Sequence, residues 1–212
     1  MKKIIYSLLF VFVTCFFFVC PVRAADELDD VRVYTQTLVD DAIVKIFNKD
    51  LTATERVVPF KKVVMDNFDF DYISKFVLGV YARGISEEKL SKFAEAFAEL
   101  NVYSYIKKFE LYTDSKIDVV DVKNGKKTGQ FFVVSKVRTN DDGTKDYSVD
   151  WRVMRVGDTY KVIDVVVEGV SMALSYKNEY APLLKTAADE GKDPVMYLTD
   201  KILEKVVALK LK

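Results

Sequence analysis

Apolar and polar residues alternate at helical spacing along the first part of the chain. Residues 26–48 carry an apolar stripe and begin with acidic side chains, which are stabilising near a helix N-terminus. Thr52 and Glu55 have the spacing of a capping box, in which each side chain accepts a hydrogen bond from the other residue's backbone N–H. We therefore predict a first helix over residues 26–48 and a second helix from Thr52 to about Met65.

Two further helices are predicted by the same spacing. Asp69 predicts the cap of a third helix, and Ser86 predicts the cap of a fourth helix that reaches Phe109. Phe97, Tyr105 and Phe109 recur on one face of this fourth helix. An aromatic face of this kind either packs into a closed core or forms the wall of an internal cavity.

The pattern changes after residue 116. Four runs rich in β-branched and aromatic residues predict strands over residues 117–122, 130–139, 147–156 and 160–167. An Asn-Gly pair and an Asp-Gly pair separate the first three runs. Such pairs favour tight hairpins because both positions accept a positive φ. Four strands joined by short turns predict an antiparallel meander.

One face of this sheet is predicted to be apolar. In the third strand Tyr147, Val149, Trp151 and Val153 point to one side, and the residues between them are mostly polar. The helices before and after the sheet are the only segments that can cover the apolar side. We therefore predict an α+β fold, with a twisted antiparallel sheet of about four strands covered on one face by helices. The prediction is a single domain over residues 25–212.

The chain changes from strand to helix around Glu168-Gly169. Val170 and Leu174 follow this pair at helical spacing. We expect the Glu168 carboxylate to lie at the start of the helix, where free N–H groups and the helix dipole stabilise it. The alternative is a functional role, in which Glu168 holds a head group or a partner.

Two prolines set the helix limits that we predict for the C-terminal part. Pro182 lacks the N–H that a continuing helix needs, so we expect it to kink the helix or end it near Ala181. Asp193 followed by Pro194 is typical of a helix start. The apolar stripe of this last helix consists of Leu198, Ile202 and Val206.

Residues 1–24 have the features of a secretory signal peptide. Two lysines precede an apolar run from residue 4 to residue 20, and Val22-Arg23-Ala24 places small residues where a signal peptidase reads them. We predict cleavage after Ala24. The alternative is a retained membrane anchor, for which the apolar run is at the lower limit of length.

Composition excludes most kinds of catalytic site. The chain has no histidine, and both cysteines, Cys15 and Cys20, lie in the predicted signal peptide. The mature chain therefore has no histidine-based triad and no thiol nucleophile, and almost every kind of zinc or copper site is removed. No glycine-rich phosphate loop occurs. Asp150, Asp164 and Glu168 lie on or beside strands, but among 32 acidic residues some pair always looks suggestive. We expect no enzyme activity, no cofactor and no metal.

The charge balance argues against a nucleic-acid partner. The full chain has 32 basic and 32 acidic residues, and the predicted signal peptide removes three basic and no acidic ones, which leaves a net charge of −3. Domains that bind nucleic acid carry basic patches instead. We expect a monomer without a nucleic-acid partner.

Several short pieces of sequence follow one another in an order that is known from one protein family. They are Phe68-Asp69-Phe70, Val77-Leu78-Gly79 with Tyr81 and Arg83, the aromatic stripe around Phe97, and DVVVEGVS at residues 164–171 with Tyr176 and Tyr180 behind it. The ordered set resembles the MlaC family over roughly residues 26–190. Members of that family are periplasmic phospholipid-binding proteins.

The resemblance implies a lipid carrier. Sheet and helices would leave an apolar pocket for the acyl chains of a phospholipid. Tyr81 and Arg83 are either ordinary surface residues or a donor and a cation near the pocket mouth that could meet the phosphate of the head group. The residues expected to line the pocket are Phe97, Tyr105, Phe109, Val133, Val149, Trp151, Val153, Val165, Val167, Val170 and Leu174. The implied location is the periplasm. The implied partners are an inner-membrane ABC transporter with an MCE-domain subunit and an outer-membrane lipoprotein complex, between which the carrier would shuttle lipid and so maintain outer-membrane asymmetry.

Three other functions fit the same sequence pattern. The first is a carrier of another apolar lipid, such as a hopanoid. The second is a carboxylate-dependent hydrolase or isomerase on a cone-like α+β fold, which predicts a polar pocket with a carboxylate at its base. The third is a structural or adaptor protein with a closed core, which predicts no cavity.

Overall fold

The computed structural model describes residues 22–46, 50–106, 116–138 and 146–211, so most of the predicted signal peptide lies outside the described residues. The helices are α1 (Val22–Ile46), α2 (Ala53–Asn67), α3 (Phe70–Leu78), α4 (Glu87–Tyr105), α5 (Met172–Asp189) and α6 (Pro194–Lys210), with a 3-10 turn, Gly79–Ala82, after α3. The strands are β1 (Lys116–Asn124), β2 (Gln130–Arg138), β3 (Asp146–Val156), β4 (Thr159–Val167) and β5 (Val170–Ser171). Within these ranges, no helix combines the length and apolar character that a bilayer-spanning segment needs.

The predicted α+β class and the antiparallel meander are confirmed. The strands lie in the order β1-β2-β3-β4-β5, and each pairs with its neighbour in an antiparallel direction. The fifth strand was not expected from the sequence. The register between β3 and β4 shifts between Arg152 and Val153, and an irregularity of this kind increases the local twist of a sheet.

The predicted helix caps are confirmed. The Thr52 backbone N–H donates to the Glu55 carboxylate at 2.8 Å, and the Glu55 N–H donates to the Thr52 hydroxyl at 3.3 Å, which completes the capping box. Asp69 and Ser86 cap α3 and α4 through their side-chain oxygens. Asp193 caps α6 in front of a proline at the first position. Each cap depends only on residues in the first turn of its helix, so it can be predicted without knowledge of the rest of the fold.

Helix α1 covers the inner face of the sheet at β1 and β2. Its buried side chains form a cluster with the strands, called here the α1 cluster, which consists of Val31, Val122, Phe131, Val133 and Val153. The Gln36 side chain fixes the helix to the edge strand, because its amide N–H donates to the Ile117 carbonyl at 3.1 Å and its oxygen accepts from the Val119 N–H at 2.9 Å.

The other helices form a second layer at the opposite edge of the sheet. Phe68 pairs with Val162 of β4 in a parallel bridge, and the Asp69 N–H donates to the Val162 carbonyl at 3.0 Å. Behind this contact the helices share a larger core, whose most buried members include Phe93, Phe97, Leu100, Leu184 and Leu198. Because α1 lies at one edge of the sheet and this layer at the other, the inner face between them is only partly covered.

Helix α5 continues through Pro182 to Asp189, so the expected end near that proline is wrong. Asn178 and Pro182 are both exposed. Because a proline has no N–H that could donate to the Asn178 carbonyl, this carbonyl faces solvent instead. Leu184 and Ala187, after the proline, are buried in the protein. Their burial stabilises the last turns of α5 against the loss of one hydrogen bond.

Candidate functional site

The turn between β4 and β5 sets the position of α5. Glu168 has φ 49° and Gly169 has φ 79°, so both central residues of this two-residue hairpin adopt the left-handed conformation of a type I′ turn. The expectation that Glu168 begins a helix is wrong, because α5 begins at Met172 after the cap residue Ser171. Residues other than glycine rarely adopt a positive φ, which is why the sequence did not indicate a hairpin here.

The hairpin also turns two predicted pocket residues away from the core. Val170 is 58% exposed and Leu174 is 47% exposed, and neither side chain lines a cavity. The sequence argument placed both on a helix that packs directly on the sheet. The additional strand β5 displaces the start of that helix, so Val170 and Leu174 face solvent.

An apolar cavity of about 620 Å³ lies between the inner face of the sheet, α1, α2, α4 and the start of α5. The first two helices contribute Leu38, Ala42, Ile46, Phe60, Val63 and Val64 to its wall. The exposed members of the lining are Tyr147, at 42%, and Val167, at 38%. The cavity therefore reaches the surface at the end of the sheet where β3 begins and β4 ends.

Six of the residues predicted for a lipid pocket do lie in this wall. They are Phe97, Tyr105, Val149, Trp151, Val165 and Val167. The cross-strand pairs Val149 with Val167 and Trp151 with Val165 bring four of them together on one patch of the sheet. Their contact with a ligand stays a prediction. Phe109 lies outside the described residues.

Val133 and Val153 do not line the cavity. Both have 0% exposure and belong to the α1 cluster. They lie on the same side of the sheet as Trp151, as the alternation predicts, but α1 covers that part of the face. The inner face of the sheet is thus longer than the cavity, and strand periodicity alone does not show where the covering helix ends.

Tyr81 and Arg83, predicted near a head group, also lie away from the cavity. Tyr81 belongs to the 3-10 turn after α3 and packs against the larger core. Arg83 follows this turn and is exposed. Neither side chain is part of the cavity wall, so the structure does not bring the two residues to its opening.

The indole of Trp151 has its N–H hydrogen-bonded within the protein. Its N–H donates to the Ser135 hydroxyl at 3.1 Å, and Ser135 in turn donates to the backbone carbonyl of Val149. Because this chain satisfies the N–H, the apolar faces of the ring are available to the cavity. Trp151 therefore behaves there as an apolar surface with a fixed orientation.

Asp164 is the carboxylate in the cavity wall, and its oxygens are occupied. It accepts hydrogen bonds from the Ser171 hydroxyl at 2.6 Å and from the Ala173 N–H at 2.9 Å. Arg152 forms an ion pair with it at 3.3 Å. These bonds tie the start of α5 to β4, which is a structural role. Asp150, the second strand carboxylate singled out from the sequence, does not line the cavity.

Helix α4 and helix α5 contribute a group of neutral polar residues to the wall. Phe97, Asn101 and Tyr105 lie on successive turns of α4, and all three line the cavity. Tyr176 of α5 packs edge-on against Phe97 with ring centroids 4.9 Å apart, and its hydroxyl is hydrogen-bonded to Tyr105. Burial and, to a smaller extent, Tyr105 raise the pKa of Tyr176 well above its ordinary value, so the phenol is neutral.

Asn101 was not identified from the sequence. The stripe of the fourth helix was identified from its apolar and aromatic members, and the polar residues between them were not considered. The available signal was its spacing, since Asn101 follows Phe97 by four residues and precedes Tyr105 by four. Residues with that spacing share a helix face, so the cavity side of α4 includes an amide.

The wall is suited to a hydrocarbon ligand with few polar groups. Aliphatic and aromatic side chains form most of it, and none of its described members is a lysine or arginine. An anionic group inside would find no cation among these residues, and burial of an unpaired charge is strongly unfavourable. The geometry therefore favours an apolar ligand body inside and any charged part in water.

Comparisons with known proteins agree with this geometry. The family model described as MlaC protein matches residues 36–196, well over half of the chain. Among solved structures, the phospholipid-binding protein from Ralstonia solanacearum in complex with a phospholipid is similar at a TM-score of 0.71 and 18% identity, over 85% of this chain and 99% of that chain. That likeness shows a shared fold. No curated protein sequence matches the chain.

Proposed function

Because the chain belongs to the MlaC family, we propose that it is a carrier that binds phospholipid, with the acyl chains in the cavity. The observation that carries this proposal is the apolar cavity of about 620 Å³, open beside Tyr147 and Val167. Each methylene group removed from water contributes about 0.8 kcal/mol, so a slot of this composition favours long hydrocarbon chains. The structurally similar protein from Ralstonia solanacearum is itself in complex with a phospholipid.

The polar head of the lipid is proposed to stay outside the cavity. Among the described lining residues, Asp164 carries the only charge, and it is paired with Arg152. A phosphate inside would meet no cation there and would lose its hydration. At the opening beside Tyr147 and Val167 it keeps contact with water, while the tails extend toward Phe97.

The arrangement of carboxylates supports a binding protein over an enzyme. A carboxylate-dependent hydrolase needs an acid or base that can reach the ligand and exchange protons with it. Asp164, the carboxylate in the wall, is held by Ser171, Ala173 and Arg152. These bonds occupy its oxygens and hold the carboxylate in place as part of the fold.

The carrier is proposed to work in the periplasm. Family membership and the signal-peptide features of residues 1–24 support this location. Lipid would pass between an outer-membrane lipoprotein complex and an inner-membrane ABC transporter with an MCE-domain subunit. N-terminal sequencing of the exported protein tests the location: we expect Ala25 as the first residue. Intact Met1 on membrane-bound protein contradicts it.

Native mass spectrometry of the purified exported protein tests lipid binding. We expect a mass excess that matches bound phospholipid and that disappears after extraction with organic solvent. A hopanoid in the extract would favour the alternative apolar ligand, and a protein without any lipid at its native mass would contradict the carrier. Trp151 gives a second readout, because its emission should be blue-shifted and should change when lipid is removed.

A further inference from the structure

The part of the cavity wall that belongs to α1 and α4 has a definite inner end. On α4 the lining residues run from Tyr105 back to Phe97, and Phe93, about one turn further, does not line the cavity. On α1 they run from Ile46 back to Leu38, and no earlier residue in the described part of that helix lines it. Each stretch covers eight helical steps, which is a length of about 12 Å.

The inner face of the sheet stops lining the cavity at a similar depth. On β3 the wall runs from Tyr147, at the opening, to Trp151, and Val153, the next residue on that face, is not part of it. On β4 the inner-face residues of the wall are Val167 and Val165, and Val165 pairs with Trp151. The four steps from Tyr147 to Trp151 span about 13 Å of strand. The cavity is therefore a slot of limited depth.

Trp151 closes the sheet side of the inner end. It is half-buried, whereas its cross-strand partner Val133 and its neighbour Val153 are fully buried in the α1 cluster. Trp151 packs against that cluster and also lines the cavity, so its ring separates the two. The Ser135 hydroxyl accepts from the indole N–H and fixes the ring in this place.

The depth of the slot is close to the length of a lipid chain. The hydrocarbon core of a bilayer is about 30 Å thick, so the chains of one leaflet reach about 15 Å. A chain of ordinary length that enters the slot therefore brings its methyl end to Trp151. A longer chain has methylene groups that find no room, and each one left in water lowers capture about fourfold.

We propose that Trp151 is the inner end wall of the lipid cavity and limits the length of the acyl chains that the protein captures. Ser135 is a positioning residue, which holds the indole across the end of the slot. This inference rests on the proposed function as a phospholipid carrier and adds a basis for selection among lipids. Because Trp151 is the only tryptophan of the chain, its emission reports on the end wall directly.

The test is a competition between two phospholipids that differ in chain length. Delipidated protein is incubated with vesicles of equimolar dioleoyl and dierucoyl phosphatidylcholine and separated from them, and the captured ratio is measured by mass spectrometry. Trp151→Val removes the end wall, and Ser135→Ala removes the acceptor of the indole N–H. Val133→Ala is the matched control, because it creates a void behind the indole, outside the cavity.

Wild type and Val133→Ala should capture the longer dierucoyl lipid less well by at least about fourfold, the effect of one excluded methylene group. Trp151→Val should capture the two lipids almost equally, because the space of the indole extends the slot. Ser135→Ala should lie between these limits and should shift the emission of Trp151. An unchanged ratio and emission in Ser135→Ala would overturn its positioning role.

Equal capture of the two lipids by wild type overturns the length limit but leaves the carrier intact. So does an unchanged ratio in Trp151→Val, or an equal loss of preference in Val133→Ala. If Trp151→Val does not fold, Trp151→Phe keeps a smaller ring at this position and should weaken the preference in part, and an unchanged ratio there overturns the limit. Capture of neither lipid by wild type refutes the carrier itself, and the length limit with it.

Discussion

Glu168 and Ser148 are joined by two hydrogen bonds across β3 and β4. The Glu168 backbone N–H donates to the Ser148 carbonyl at 3.0 Å, and the Ser148 backbone N–H donates to the Glu168 carboxylate. Glu168 is the one non-glycine residue in the described ranges with a positive φ. The left-handed conformation costs an ordinary residue about 1–2 kcal/mol, and the second bond offsets this cost.

Replacement of Glu168 tests this compensation. We expect Glu168→Ala to lower the free energy of unfolding by about 1–2 kcal/mol, because it keeps the positive φ and loses the acceptor. Glu168→Gly loses the same bond but adopts the turn freely, so its loss should be smaller. Urea denaturation measures both. Glu179→Ala, an exposed change on α5, is the control, and a Glu168→Ala value equal to it would disprove the compensation.

The same turn shows where sequence reasoning about the fold stops. Thr52, Asp69 and Asp193 were identified because a cap needs only residues within the next few positions. Glu168 adopts its conformation through Ser148, which is 20 residues earlier in the chain. Such a contact exists only after the strands have paired, so local propensity did not predict β5.

The sequence predicted which face of the sheet lines the cavity, but not how far along that face the cavity extends. Alternation placed Val149 and Trp151 on the inner face of the sheet, and the structure has both in the cavity wall. The same alternation selected Val133 and Val153, which α1 covers. Asn101 was missed because a hydrophobic stripe is identified from apolar residues alone. A cavity wall includes every residue on that face of the helix, whether it is apolar or polar.

Replacement of Val149 by Trp separates an open cavity from a packed core. Val149 lines the cavity, so the larger side chain should occupy the space of an acyl chain, reduce the bound lipid and leave the melting temperature nearly unchanged. Val133→Trp is the matched control on the next strand, because Val133 has 0% exposure in the α1 cluster. That change overpacks and should cost about 1–3 kcal/mol or more.

Both variants need two measurements, lipid per protein after extraction and thermal unfolding. If Val149→Trp lowers the melting temperature as much as Val133→Trp and the parent protein carries no lipid, the cavity is not a ligand site. Normal melting with lost lipid in Val149→Trp supports the carrier.

Because of Tyr180, the free energy of unfolding should depend on pH in the alkaline range. Its hydroxyl is buried without a hydrogen-bond partner in the described part of the chain, and burial raises its pKa above 10. The unfolded chain therefore loses the phenol proton first, and stability falls as pH rises above 10. The slope for one such phenol is up to about 1.4 kcal/mol per pH unit. Tyr180→Phe should flatten this fall and cost nothing at pH 7, because it removes an unpaired polar group.

Tyr34→Phe provides the contrast. Burial raises the pKa of Tyr34 to about 12, so this variant should also flatten the loss of stability between pH 10 and pH 12. Its hydroxyl, however, donates to the Asn67 carbonyl at 3.3 Å, so the variant should lose about 0.5–1 kcal/mol at pH 7. Denaturation curves at pH 7, 10 and 11 compare the two, and identical behaviour at pH 7 would contradict the assigned difference.

Pro182→Ala should stabilise the protein. The substitution restores an N–H that can donate to the exposed Asn178 carbonyl within α5, and we expect a gain of about 1–3 kcal/mol. Pro194→Ala is the counterpart at the first position of α6, where proline is favourable, so it should be neutral or slightly destabilising. Thermal unfolding of both variants decides the matter, and a loss of stability in Pro182→Ala would show that the proline has a packing role.

The bond between Gln36 and Val119 spans 83 residues of sequence, and the α1 cluster depends on the same distant pairing. A ribosome makes α1 first, long before β1 and β2 exist to receive its apolar face. Contacts of such high sequence separation are slow to form, because the loop between them must close first. We therefore expect docking of α1 to be a late step in folding. During synthesis the apolar face of α1 has no sheet to pack against until β1 and β2 have been made.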